Sequence, residues 1–246
     1  MKIRIFFILF AISIFSAQAQ KRYKHLYPGY YGNGSSLKPI GLRIGLSAGV
    51  AITDISRDLL VNPYLEDAYE SVYQPNVGLV AQYALSSKIM LGSGLYYKPM
   101  SVNYKTNSDV ESTLTNVKKN YLEVPVVLNV TFRKGEYQAY PAIYAGGSVS
   151  FLLNAEKDYE SITLNTDSEP YRDSNLDITE DFNKIDLGPV VGISYYIPIQ
   201  TNLQLMLDLK GYMGVTNINN LPSEANGRPY TINTSFMMSI ALIWGR

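Results

Sequence analysis

The chain has 246 residues, with 21 basic and 21 acidic side chains, one histidine and no cysteine. Zero net charge leaves no basic footprint for nucleic acid, and the missing thiols exclude disulfides, a cysteine nucleophile and thiolate metal sites. Charged residues make up only 17% of the chain, below the usual quarter, whereas tyrosine is abundant at 21.

The first twenty residues, MKIRIFFILFAISIFSAQAQ, place Lys2 and Arg4 before an apolar run that ends in Ala17-Gln18-Ala19. Basic, apolar and small-residue regions in that order are a secretory signal, so residues 1–19 are expected to be cleaved off. The run from Ile5 to Phe15 is shorter than the roughly 20 residues of a helical span, and no Cys follows it to carry a lipid. Residues 20–39 are basic, aromatic and rich in Gly and Pro without periodicity, and hold His25. They read as an irregular periplasmic tail.

From residue 40 to 246 the pattern has period two, the signature of strands with unlike faces. In the first strand Ile40, Leu42, Ile44, Leu46, Ala48, Val50 and Ile52 alternate with Gly41, Arg43, Gly45, Ser47 and Gly49. Seven more such stretches follow: NVGLVAQYAL, IMLGSGLYYK, YLEVPVVLNVTF, YQAYPAIYAGGSVSFLL, IDLGPVVGISYYI, LQLMLDLKGYMGV and TSFMMSIALIWGR. The connections at Ser86–Lys88, at Arg133–Gly135 and around Pro198 are short. The alternate ones, Thr53–Tyr73, Thr106–Lys119, Asn154–Asp181 and Asn217–Tyr230, are long. Eight strands with short turns at one end and long loops at the other predict an all-β fold: an antiparallel up-and-down transmembrane β-barrel with short periplasmic turns and long extracellular loops.

A soluble ligand-binding barrel would also alternate, but with its apolar face inward and a charged face in water. Here the face opposite the aliphatics is Gly, Ser, Ala, Asn and Gln with few charges, which suits the filling of a narrow barrel. Glycines at 41, 45, 49, 78, 92, 94, 146, 188, 192 and 214 leave room for inward Tyr96, Tyr140, Tyr144, Tyr196 and Tyr212. Tyr83, Phe132, Tyr137, Tyr195 and Trp244 have outward parity at the short-turn end, and read as a periplasmic-side interfacial girdle.

The signal, Tyr121–Pro125 (YLEVP), Tyr140–Gly147 (YPAIYAGG), Asp186–Gly192 (DLGPVVG) and Leu207–Tyr212 (LDLKGY) resemble, in order and spacing, the PorT family of outer-membrane β-barrels of Bacteroidetes-type bacteria. The resemblance covers about Lys38 to Arg246 and implies the outer membrane, and through the family's namesake an accessory role in type IX protein secretion. One departure is the ending Trp244-Gly245-Arg246, which lacks a terminal aromatic.

Inward parity gives a luminal charge network of Arg43, Lys98, Glu123, Asp186, Asp208 and Lys210. Lys98 and Glu123 lie at similar heights on sequential strands and are expected to pair. Arg43 and Asp208 are expected to pair lower down, across the closing strands. Such groups form a polar plug or, if the lumen opens, an ion pathway. The third long loop is acidic, and Asp173, Asn175 and Asp177 in it resemble part of a calcium loop without the following Gly. It reads as a solvated loop, with a contact to a basic partner or to divalent-bridged lipopolysaccharide as the sharper version.

No nucleophile elbow, P-loop or zinc-helix motif is present, and the one His lies outside the strands, so neither an enzyme nor a cofactor is expected. The leading expectation is an outer-membrane interaction or assembly accessory, contacting lipid, lipopolysaccharide and other outer-membrane or secretion-system proteins. A small pore and a soluble periplasmic ligand-binding barrel are the alternatives.

Overall fold

The computed structural model describes residues 41–57, 68–107, 111–133, 138–163, 171–218, 220 and 231–245. The expected signal, the 20–39 tail, Tyr137 and much of the first and fourth long loops lie outside them.

The strands are β1 (Leu42–Arg57), β2 (Ala68–Ala84), β3 (Ile89–Asn107), β4 (Glu111–Thr131), β5 (Tyr140–Thr163), β6 (Tyr171–Asp177), β7 (Ile185–Gln200), β8 (Leu203–Met213) and β9 (Thr231–Gly245). All described pairings are antiparallel. β1 pairs with both β2 and β9, and β4 with both β3 and β5, so eight of the strands close into a barrel that leaves β6 outside. Closure removes every sheet edge from the wall, which a strand structure in lipid requires.

The alternation decides the facing. Leu42, Ile44, Leu46, Leu79, Leu91, Val126, Ile143, Val191 and Ile240 are all exposed on the outer wall, while Arg43, Ser47, Gln82, Asn129, Ser148 and Ser194 are buried within. Glycines make the interior packable. A Cβ on Gly78 would come within 2.5 Å of the Tyr96 ring, and one on Gly188 within 2.8 Å of Tyr212. The lumen is less polar than its composition suggests at the short-turn end, where Val80, Met90, Tyr96, Tyr140, Tyr196, Met206 and Ile243 form an apolar cluster. Tyr140 and Tyr196 stack there with centroids 5.0 Å apart.

The long loops are shorter than expected, because strand pairing continues beyond the apolar wall. β1 reaches Arg57, β2 begins at Ala68, β4 begins at Glu111, and β5 runs 24 residues to Thr163. The third loop is therefore largely a strand extension, with β6 folding back on it in the register Glu156↔Asp177 to Ser161↔Tyr171. Past the wall the outer face meets water instead of lipid, so the apolar alternation ends while the hydrogen-bond ladder does not. A bulge between Asn120 and Tyr121 pairs Asn120 with Asn154 but Tyr121 with Leu152. It leaves Leu153 exposed outside and turns Ala155 inward. There Ile178 and Phe182, flanking a 3₁₀ turn at Thr179–Asp181, pack on Met100, Tyr121, Leu152 and Ala155 and cover the far mouth.

Candidate functional site

At mid-barrel, β3, β4 and β8 bring three ionic side chains together. Lys98 is diagonal to Glu123, because Tyr96 faces Glu123 and Lys98 faces Tyr121 across the β3–β4 ladder. Lys98 Nζ lies 2.9 Å from Glu123 Oε2, an ion pair. From the opposite wall Lys210 Nζ donates to Glu123 Oε1 at 2.7 Å. One carboxylate thus joins two lysines, and all three side chains are 5% exposed or less. Each ammonium also sits over a ring: Lys98 is 4.0 Å from the Tyr212 centroid and Lys210 4.3 Å from that of Tyr96. Such cation–π contacts are strongest when desolvated.

Two further carboxylates flank the triad. Asp208 accepts Ser194 Oγ at 2.7 Å and Tyr144 OH at 3.0 Å; Gly192 gives the Tyr144 ring its place on the way. Asp186 accepts Thr216 Oγ1 at 2.7 Å and Asn233 Nδ2 at 2.8 Å. Asn233 Oδ1 in turn accepts Lys119 Nζ at 2.6 Å. A polar column thus runs from Lys119 near the far mouth to Asp208. Beside Asp208 and Lys210 the lumen keeps a cavity of about 40 Å³, lined also by Gln82, Asn129 and Ser194. That is room for about one water molecule.

Arg43 does not pair with Asp208. Asp208 faces Ser239, and Ser239 faces Gly49, six residues from Arg43 and roughly 20 Å along β1 at about 3.3 Å per residue. Gln204 lies opposite Ile243, and Ile243 opposite Gly45, only two residues from Arg43. Arg43 Nη1 accordingly donates to Gln204 Oε1 at 3.0 Å and to Tyr140 OH at 3.3 Å.

Lys119, Tyr121, Asn233, Thr216 and Gln204 belong to the luminal network without having been singled out from the sequence. For Lys119 the signal was present: it shares odd parity with Glu123 on β4, but the strand was expected to begin only at Tyr121.

On the outer wall Tyr83, Phe132 and Trp244 are exposed and Tyr195 is half-buried at the short-turn end. A second set of exposed aromatics, Tyr73, Tyr97, Phe151 and Phe236, lies toward the other end. In the β5–β6 extension Lys118 Nζ pairs with Asp158 at 2.6 Å, and Arg172 with Glu160 at 2.7 Å. The Lys118 ammonium and the Asn175 backbone N–H hold the Asp158 carboxyl below the usual carboxylate range. Asp177 is likewise lowered by hydrogen bonds from Thr179, whose backbone N–H donates to it at 2.9 Å. Asp173, Asn175 and Asp177 all lie on β6. Among the described residues no three His, Cys, Asp or Glu side chains are placed to hold an ion, and Asn175 turns its backbone N–H to Asp158 at 2.9 Å.

The outer membrane protein beta-barrel domain family matches residues 17–220. The chain belongs to this family. Its place is therefore the outer membrane, and the outward aliphatic wall of this outer-membrane barrel faces lipid. No curated protein matches the sequence. Among solved structures, OprG from Pseudomonas aeruginosa is similar with a TM-score of 0.47 at 9% identity, covering 86% of this chain and 100% of its own. Ail of Yersinia pestis is similar with a TM-score of 0.36 at 10% identity, covering 83% of this chain and 100% of its own. The outer membrane protein AlkL is similar with a TM-score of 0.40 at 12% identity, covering 87% of this chain and 94% of its own.

Proposed function

We propose that this outer-membrane barrel is a closed, non-enzymatic interaction or assembly accessory, exported by a signal peptide cleaved after Ala19. It acts through surfaces outside the lumen: the β5–β6 extension on the outer side and the 20–39 tail on the periplasmic side. The carrying observation is the lumen, where Lys98 and Glu123 are 1% and 0% exposed and span the barrel with Lys210. A lumen filled in this way is a plug rather than a conduit. The exposed aliphatic wall speaks against the soluble ligand-binding reading. The resemblance to the PorT family makes type IX secretion the process to test first, with outer-membrane and secretion-system proteins as partners alongside lipid and lipopolysaccharide.

Single-channel recording on the purified barrel in planar bilayers is expected to be silent, and crosslinking in intact membranes followed by pull-down to capture defined outer-membrane partners. Removing residues 164–170 from the extension is expected to weaken that capture without unfolding the barrel. Steady conductance in the unmodified protein would overturn the reading in favour of a pore.

A further inference from the structure

Arg43 carries a luminal cation whose described partners are all uncharged. The residue is 4% exposed, and only Nη1 is engaged, by the neutral oxygens of Gln204 and Tyr140. Among the described residues no carboxylate lies within ion-pair distance of it. Its Nε and Nη2 donors, half of a planar fork suited to two parallel bonds, reach no described acceptor. Tyr140 OH itself donates to Gln204 Oε1 at 3.3 Å, leaving the Gln204 amide nitrogen as a further donor. A second cation lies by the same tyrosine: the Arg133 guanidinium carbon is 5.5 Å from the Tyr140 ring centroid. Arg133 belongs to the short β4–β5 connection and Arg43 is near the start of β1, so both sit at the short-turn, periplasmic mouth.

A buried cation held only by neutral groups is normally compensated by an anion. We propose that Arg43, with Arg133 and Gln204, forms a binding site for a phosphate-type oxyanion at the periplasmic mouth of the barrel. The arginine fork matches two oxygens of such a group and cannot be matched by chloride. The depth of Arg43 limits the occupant to a single small group at its tip. A free phosphate ion and the headgroup phosphate of an inner-leaflet phospholipid share this chemistry. The site goes beyond the proposed accessory role, since it would exist whichever partners the outer surface takes.

The test uses the full mature chain in a maltoside detergent, which carries no phosphate. The side-chain N–H resonance of Arg43 is followed by NMR while sodium phosphate replaces sodium chloride at constant ionic strength. A saturable shift is expected with phosphate and none with chloride, together with a rise in melting temperature. Arg133→Gln is expected to weaken the phosphate response about tenfold, the size of one charge-assisted contact, and Arg43→Gln to abolish the melting rise. In nanodiscs containing phosphatidylglycerol, an Arg43 resonance already displaced and insensitive to added phosphate assigns the site to the headgroup. An Arg43 resonance that stays in place in both settings overturns the proposal, and so does a melting rise that survives unchanged in both variants. The resonance is read in the unmodified protein, so the outcome does not depend on whether Arg43→Gln folds.

Discussion

Glu123 holds two ammonium groups inside a wall of lipid. Neither lysine is open to bulk solvent, and each has its ring and the shared carboxylate as compensation. Glu123→Gln keeps the shape and removes the charge. It is expected to cost about 3–5 kcal/mol, because the two buried cations are left facing each other. Replacing Lys98 and Lys210 by Met in the Glu123→Gln background is expected to recover most of that loss. Urea unfolding in lipid vesicles measures both, and a loss under about 1 kcal/mol for the single variant would show the triad to be a minor contributor. Parity alone placed Lys98, Glu123 and Lys210 inside. It could not say that Lys210 reaches Glu123, since that contact crosses the lumen between strands remote in sequence. Nor could it rank Arg43 against Asp208, because the rows of a tilted barrel depend on a register that period two leaves open.

The β5–β6 extension stands outside the barrel and is held by surface pairs, one of which depends on pH. The Asp158 carboxyl is held below its ordinary range by Lys118 and the Asn175 N–H. A lowered native value means that the contribution is complete above the unfolded-state value and disappears as pH falls through the native one. Amide exchange of β6 is therefore expected to stay slow at neutral pH and to quicken on acidification into the range below the ordinary Asp value. Asp158→Asn is expected to show the faster exchange at neutral pH. Protection that is flat across the acidic range in the unmodified protein would exclude this tie. The extension was hidden in the sequence for a definite reason. Residues 154–163 and 171–177 are mostly polar, with only scattered apolar side chains such as Ala155 and Leu176, so no apolar alternation marks them, and their strand character comes from pairing with each other and with β4.

At the scale of the molecule, the apolar wall sets how the barrel sits. Tyr83 and Tyr73 are ten residues apart on β2, facing Leu42 and Ile52 of β1. At about 3.3 Å per residue and a tilt near 40°, their separation along the barrel axis is roughly 25 Å, the height of an outer-membrane apolar band. Leu79 lies near its middle on the outer face. Leu79→Arg is expected to cost about 2–4 kcal/mol in vesicle unfolding, and Leu85→Arg, beside the short β2–β3 turn, about 1 kcal/mol or less. Equal costs would mean that the band is misplaced. The eight-strand wall and its facing were legible from residue 40 onward because lipid on one side and a narrow lumen on the other impose opposite demands on neighbouring residues. The segments covering the far mouth were not, because Phe182 and Ile178 are partly buried by a local turn rather than by strand parity.

The tie from Lys210 to Glu123 also bears on how the barrel is made. β3 and β4 form an early hairpin, whereas β8 is nearly last in the chain. Until the final strands arrive, Lys98 shares its carboxylate with no second amine, and Lys210 lacks the Glu123 carboxylate, with only Asp208 of its own strand nearby. A half-assembled sheet would have to carry an incompletely matched ammonium through hydrocarbon, a steep barrier. Insertion is therefore expected to coincide with the zipping of β9 onto β1, the chain crossing as a nearly finished cylinder that is neutralised from within as it shuts.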